Sequence, residues 1–211
     1  MTITTLQLPL GPLQTNCYIL GCQATRHAAV IDPSWDGRAI KQKLDDEGLQ
    51  LTHILLTHTH FDHVGGLAEL KTLTGAPIYV HPQAVSMLAQ GADMARLWDI
   101  PMEQPPPADE LLQEGQQLKI GKIALRVWET PGHAPGHVSF YAPDYHLLFD
   151  GDVLFQQGIG RTDFPGGSYP VLMRVIRERF MVLPDETRVL SGHGPVTTIG
   201  DERLRNPFLQ E

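Results

Sequence analysis

Thr57-His58-Thr59-His60-Phe61-Asp62-His63 places three imidazoles and one carboxylate within seven residues. The run follows the apolar stretch Ile54-Leu55-Leu56, so a chain leaving a buried strand delivers four donor groups at its end. Neutral imidazole and carboxylate suit borderline divalent cations such as zinc, manganese or iron. Packing alone has no use for three histidines this close. If the backbone stays extended to His60, period-two alternation aims His58 and His60 to one side, and Asp62 and His63 follow where the chain turns. The HExxH arrangement instead needs a helix to join its two histidines, so a strand-end or loop site is expected here. A lone turn histidine is a solvated side chain by default, whereas this cluster has the residue types and spacing of a metal site.

Three later stretches extend the pattern. Thr130-Pro131-Gly132-His133-Ala134-Pro135-Gly136-His137 follows an expected strand over Ile123 to Trp128 and carries a histidine into a Gly/Pro-shaped loop. His146 to Asp152, HLLFDGD, runs an apolar strand into an acidic turn from which Asp152 emerges. Val189 to Pro195, VLSGHGP, repeats the arrangement with His193. DG and GH are common turn dipeptides, so the weight lies in their combination. His58, His60, His133, Asp152 and His193 all sit just past expected strand ends, where a rigid sheet edge holds ligands yet leaves them open to substrate.

Taken in order, THTHFDH, TPGHAPGH, FDGD and SGHG resemble the metallo-β-lactamase superfamily, over essentially the whole chain. Within it the chain is similar to the short bacterial branch of the glyoxalase II (hydroxyacylglutathione hydrolase) group. The stretches that carry this are GRTDFPGG at Gly160 to Gly167, GHGPVTTIG at Gly192 to Gly200 and ERLRNPFL at Glu202 to Leu209. The resemblance implies an α+β fold, a four-layer αββα sandwich. It also implies that His58, His60 and His133 hold one metal, that Asp62, His63 and His193 hold a second, and that Asp152 bridges them. The ions would be two divalent cations, zinc foremost, with iron or manganese as alternatives. The family's motif uses the first histidine of TPGHAPGH, which leaves His137 to the loop or to a place behind the ligands.

Bulk properties agree with one globular domain over residues 1–211, with 42% hydrophobic residues and ordinary charge content. Pro101 to Asp109, PMEQPPPAD, is expected as a surface loop, because it lies between segments that the metal pattern brings together. The N-terminus lacks a basic n-region and a long apolar h-region, and no run of eighteen apolar residues occurs. A soluble, cytoplasmic protein without membrane association is expected. The net charge of -8 argues against nucleic-acid partners, since phosphate backbones demand Lys/Arg surfaces. Cys17 and Cys22, on one extended strand at odd separation, would point to opposite faces and stay unpaired. Some β-lactamases of the superfamily use a cysteine ligand, whereas every expected ligand here is nitrogen or oxygen.

Strands are expected at Ile3 to Leu8, Asn16 to Leu20, Ala28 to Asp32, His53 to Thr57, Ile78 to His81, Leu118 to Ile120, Ile123 to Trp128, His137 to Tyr141, His146 to Phe149 and Arg188 to Leu190. Helical patterns cover Asp36 to Glu47, Val64 to Leu73, Pro82 to Ala89 and Ser168 to Leu183. In the last, Ser168 is placed to cap, Pro170 fits the first turn, and Val171, Leu172, Val175 and Ile176 form one apolar stripe. Arg174, Arg177 and Arg179 read as its solvated face. Asp32, ending a strand before Pro33, is either an acceptor behind the metal ligands or a plain turn residue.

Two metals about 3.5–4 Å apart can share a water and lower its pKa toward ~7, providing a bridging hydroxide as nucleophile, with Asp62 orienting it. A small-molecule thioester fits, because a thiol of pKa near ~8.5 leaves as thiolate with little acid help, whereas an amide needs a proton donor. The resemblance implies S-D-lactoylglutathione or a related thioester as substrate. Longer members add a C-terminal helical domain with basic residues for glutathione. In its absence Arg161 is the candidate carboxylate grip, with a salt link to Asp163 as its structural alternative, and Tyr169 a weaker candidate. The rival activity is a mononuclear-iron persulfide dioxygenase, a group that resembles glyoxalase II and would use His58, His133 and Asp152. Gly194-Pro195 after His193 departs from the Asp-Tyr pair of that branch. A metal-binding protein without catalysis is a third reading, disfavoured because all seven ligands are present.

Overall fold

The computed structural model describes residues 2–210. The N-terminal half of the chain forms one six-stranded sheet in sequence order: β1 (Ile3–Leu10), β2 (Thr15–Cys22), β3 (His27–Ile31), β4 (Gln50–Leu55), β5 (Ile78–Val80) and β6 (Glu110–Leu111). The first three strands pair antiparallel, and β3 to β6 run parallel. Next come β7 (Gln117–Ile120), β8 (Ile123–Glu129), β9 (Val138–Ala142) and β10 (Leu147–Gly151), then a small hairpin of β11 (Leu154–Phe155) and β12 (Gly158–Ile159). After it, β13 (Arg188–Ser191) and β14 (Thr197–Thr198) complete a second sheet in the order β14-β13-β10-β9-β8-β7. In that sheet only β10 and β13 pair in parallel.

Strand alternation explains the four layers. On β2, Tyr18, Leu20 and Cys22 enter the core between the sheets, joining Leu125, Val127, Phe140 and Phe149, while Cys17 and Ile19 face outward. A strand buried on both faces needs cover on both. Outside the first sheet that cover is α1 (Gly37–Asp46), whose Ile40 and Leu44 pack with Ile54 and Val30. The short helices α2 (Phe61–Val64), α3 (Leu67–Thr74) and α4 (Val85–Leu88) contribute Val64, Leu67, Leu70 and Leu88 to the same layer. A further turn, α5 (Gly91–Arg96), leads into Leu97 and Trp98. Outside the second sheet lie α6 (Tyr169–Val175), a π-helical turn over Ile176–Phe180, and α7 (Ile199–Arg205), burying Leu172, Ile176, Phe180 and Ile199 against Leu148 and Val189. Each such buried side chain contributes about 1.5–3 kcal/mol. The expected αββα sandwich is what forms. Among the described residues no helix is long and apolar enough to cross a membrane.

The elements depart from the sequence reading in specific places. The helix expected over Val64 to Leu73 is split at Gly65-Gly66, because the Trp35 ring and backbone occupy the space that side chains would need there. The Gly66 N–H donates to Pro33 O at 2.9 Å instead of continuing a helix. Pro82 to Ala89 divides into a 3₁₀ turn, Pro82–Ala84, and α4. The helix expected to Leu183 ends earlier, through the π turn, and Ser168 occupies its N-cap without a side-chain cap bond. Arg179 is not merely solvated, since Nη1 binds Glu114 Oε1 at 2.8 Å. The stretches α5, α7, β6, β11, β12 and β14 are too short to show a period and escaped the sequence reading. Residues 101–109 form an irregular, mostly exposed connection, as expected. Cys17 and Cys22 are free, buried and on opposite faces.

Candidate metal centre

The C-terminal ends of β4, β10 and β13, together with the turn between β8 and β9, meet along one edge of the sandwich. β4 stops at Leu55, and the chain continues through extended His60 into α2. His58 and His60 do share a side: Nε2 of the first lies 3.1 Å from Nδ1 of the second. Asp62 and His63 are presented by a one-turn helix, which corrects the expectation of a purely strand-end or loop site. From the β8–β9 turn, His133 brings Nε2 to 3.0 Å from His60 Nδ1. Three ring nitrogens converge on one small volume, more acceptors than the single proton between them needs. Their spacing is near the edge of a tetrahedron, about 3.3 Å, built on metal–nitrogen bonds of about 2.0–2.1 Å.

Asp62, His63 and His193 form a second group whose donor atoms lie within 4.8 Å of one another. Asp62 Oδ2 is 3.2 Å from His193 Nε2 and 3.6 Å from His63 Nε2. Asp152 stands between the two groups, with Oδ1 3.4 Å from His63 Nε2 and Oδ2 3.6 Å from both His133 Nε2 and His193 Nε2. His63 Nε2 and Asp152 Oδ1 are buried without hydrogen-bond partners. Orphaned buried polar atoms cost about 1–3 kcal/mol each, and a cation between them removes that cost. The donor set therefore fits metal ions. Asp32, His58 and His63 also cluster, but there His63 uses Nδ1, the nitrogen facing away from Asp152, so the group orients ligands and is not a third site.

The backs of the rings are held. His63 Nδ1 meets Asp32 Oδ2 at 3.0 Å, His58 Nδ1 meets Thr57 Oγ1 at 3.1 Å, and His133 Nδ1 donates to Arg161 O at 2.8 Å. Protons placed on these nitrogens leave each Nε2 lone pair free. Asp32 also accepts from Thr57 N at 2.7 Å and Thr57 Oγ1 at 2.6 Å, so the acceptor reading of Asp32 holds. Its φ of +49° is a left-handed conformation that Asp tolerates better than most residues. Thr15 Oγ1 donates to Asp62 Oδ2 at 2.8 Å, and Asn16 Nδ2 donates to Ser191 O and Gly194 O, each at 2.9 Å. His137 lies behind the ligands: Nε2 accepts from Asp152 N at 3.2 Å and Nδ1 pairs with Thr130 Oγ1 at 2.9 Å. A Cβ at Gly192 would press on Asp152 Oδ1 and stand 2.5 Å from His63 Cε1, so the β13 loop needs glycine to approach this closely.

Charges are distributed unevenly before any cation binds. Burial, reinforced by the neighbouring imidazoles, pushes His58 well below the usual histidine range and His60 down to about 4. Burial opposes charge on His63 too, but Asp152 and Asp62 outweigh it and raise its pKa well above the usual histidine range. Asp62 is likewise pulled down to about 2, against its burial, by His63, His193 and Thr15. Burial raises the pKa of Asp150 well above the usual carboxylate range; its Oδ2 accepts from Leu154 N at 2.8 Å while Oδ1 has no partner. Thr15, Asn16, Thr57 and Asp150 were not singled out from sequence. Thr57 opens the decisive motif and was within reach, whereas Thr15 and Asn16 meet the site only through the fold.

A cavity of about 770 Å³ opens above His60, Asp62, His133, Asp152 and His193. Arg161 lines it, but the guanidinium is bound to Asp163 through Nε–Oδ1 at 2.8 Å and Nη2–Oδ2 at 2.7 Å, and lies 3.7 Å over the Phe164 ring. The salt-link alternative for Arg161 is the one realised. Tyr169 is a correction: it lines a separate groove on α6 with Met173, Arg174 and Glu178 and is not among the residues that line the cavity.

Residues 10–193 match the metallo-beta-lactamase superfamily. The chain belongs to the metallo-beta-lactamase superfamily. It is 42% identical over 207 residues to the probable metallo-hydrolase YqgX of Bacillus subtilis, covering 96% of each chain. It is 37% identical over 204 residues to the hydroxyacylglutathione hydrolase GloC of Haemophilus influenzae, again over 96% of each. Among solved structures, the BLEG-1 B3 metallo-beta-lactamase superposes with a TM-score of 0.92 at 43% identity, over 99% of this chain and 100% of that one. TTHA1623 in a di-iron-bound form gives 0.89 at 39% identity, over 97% and 100%. ETHE1 from Myxococcus xanthus gives 0.83 at 28%, over 99% and 85%. The fold, the His/Asp donor clusters and these relatives make the protein a metallo-hydrolase of this superfamily, in its glyoxalase II-like branch.

Proposed function

We propose that the protein is a binuclear thioesterase of glyoxalase II type, acting on S-D-lactoylglutathione or a related small thioester. The observation that carries this reading is Asp152, whose two carboxylate oxygens reach toward both donor groups at once. His58, His60 and His133 would hold one ion, Asp62, His63 and His193 the other, with Asp152 shared. When bound, two such ions supply positive charge to a reacting carbonyl and acidify water enough to give a nucleophile at neutral pH. Zinc is the first candidate, and the di-iron form of TTHA1623 supports iron as a second.

The chain's own residues position and exclude. Asp62, fixed by Thr15, offers a carboxylate oxygen at the mouth of the cavity, where it can accept a hydrogen bond from the attacking water. Asp32 and Thr57 lock the imidazoles from behind. In the net reaction a C–O bond forms to water oxygen and the C–S bond breaks; the electron pair leaves with sulfur, which takes one proton of the water while the other is released to solvent, giving a carboxylate and a thiol. Asp62 and Asp152 are the only acidic side chains lining the cavity among the described residues, and both are held ionised. That supports a thioester over a lactam, whose nitrogen needs a proton. A one-iron dioxygenase on His58, His133 and Asp152 would leave Asp62, His63 and His193 without a role. The test is metal content together with hydrolysis of S-D-lactoylglutathione and glutathione persulfide-dependent oxygen uptake on one preparation. Two ions per chain with thioester turnover is the expected result; one iron with oxygen consumption overturns it.

A further inference from the structure

The cavity above the donor cluster is polar at its floor and apolar along its walls. One wall is Met94 with Leu97 and Trp98 just past α5; Phe61 stands beside them, its ring 6.2 Å from that of Trp98. Phe155, Ile159 and Phe164 line it elsewhere. Leu97 is 79% exposed and Trp98 54%, so large hydrocarbon surfaces stand in water beside the reactive groups. Scattered exposed apolar residues need no explanation, but a contiguous set lining a cleft marks a binding surface. Arg161 is the only Lys or Arg side chain lining the cavity among the described residues, and its Nε and Nη2 are already paired with Asp163. Glutathione brings two carboxylates, and beyond the metal ligands the only side-chain cation lining the cavity among the described residues is this guanidinium, already paired with Asp163.

We propose that the cavity is a subsite for an apolar chain or ring, so that among small thioesters those carrying such a group are bound best, with little contribution from glutathione carboxylates. This rests on the thioesterase reading for the bond that is cleaved and adds the chemistry of the group beside it. Full burial of a methylene is worth about 0.8 kcal/mol, about fourfold in affinity; a chain covered on one side gains about half of that, about twofold per methylene.

The experiment uses the metal-loaded protein and uncleavable S-alkyl thioethers of N-acetylcysteamine, from propyl to heptyl, titrated by calorimetry. Dissociation constants should fall about twofold per methylene, about sixteenfold across the series. S-hexylglutathione should bind no more than about threefold tighter than its uncharged S-hexyl counterpart. Trp98→Ala should lower the factor to below about 1.5 per methylene, while Leu204→Ser, at an exposed position on α7 outside the cavity, should keep it near two. A flat chain-length series, or a glutathione conjugate tighter by about tenfold or more, would overturn the proposal. In parallel, kcat/KM is measured on acyl thioesters of N-acetylcysteamine of matching length. Turnover without chain-length dependence sinks the subsite alone. Chain-dependent thioether binding without cleavage of any thioester sinks the hydrolase reading and leaves the subsite standing.

Discussion

Replacing Asp32 by Asn tests whether side chains behind the ligands control metal binding. The carboxylate accepts three hydrogen bonds, from Thr57 N at 2.7 Å, Thr57 Oγ1 at 2.6 Å and His63 Nδ1 at 3.0 Å. Asn has nearly the same shape, and its carbonyl oxygen can keep the bond from Thr57 N. The amide NH₂ then occupies the place of Oδ2 and meets the His63 Nδ1–H as donor against donor. His63 escapes by moving its proton to Nε2, the nitrogen that faces Asp152, where it blocks a cation. Holding the metal-competent tautomer costs about 1–3 kcal/mol for the buried, unpaired donor, which is about 5- to 150-fold in affinity. Changes behind metal ligands in general cost about 10- to 100-fold, a range within the same window. The second ion, at Asp62, His63 and His193, should bear most of this loss, and the first much less. Competition against a chelator of known affinity, with circular dichroism to verify the fold, measures both constants. Affinities for both ions within about threefold of the native protein, in a folded variant, would refute the reasoning.

Asp152→Ala should abolish binding of the second ion and nearly all hydrolysis, while His146→Ala, whose ring is 3.9 Å from Glu186 and outside the donor groups, should leave metal content unchanged; elemental analysis with turnover checks both. Gly192→Ala forces a methyl group against Asp152 and His63, and should destabilise the protein by about 1–3 kcal/mol in denaturant titration and lower metal occupancy. In the metal-free protein the pKa of His63 is raised. Its contribution to stability is therefore complete below about pH 6.5 and is lost as pH rises through the folded-state value. Thermal midpoints of metal-free protein should accordingly fall above about pH 6.5, and binding of the second ion near neutral pH should release a proton that calorimetry in buffers of different ionisation enthalpy detects. His58, pushed well below the usual histidine range, and His60, held down to about 4, carry no proton at neutral pH, so neither ring should release one when the first ion binds.

Local signals in the chain account for much of the site and less of its surroundings. THTHFDH announces a metal site because its donors are adjacent in sequence, and period-two alternation on one strand suffices to join His58 with His60. The apolar runs of β2 and β10 announce strands, whereas the pairing of two sheets with outer helices was what the family resemblance implied. Asp62 and His63 follow where the chain turns, but the one-turn helix α2 that presents them is too short to show a helical period and is held by burial of Phe61 and Val64. Arg161 could be given a partner from sequence, two residues on, but not a preference between Asp163 and a substrate.

The amino-acid sequence by itself determined which donor atoms the protein owns, their order along the chain and the strands that carry them, because those properties depend on composition and on residues a few positions apart. Only the tertiary structure decided which nitrogen of each imidazole is presented, since that depends on what stands behind the ring: Asp32 behind His63, thirty-one residues away, and the Arg161 carbonyl behind His133, twenty-eight away. The apolar wall around Trp98 belongs to the same class. Short segments without a period take their place from the core they cover, and no local pattern in the chain encodes that core.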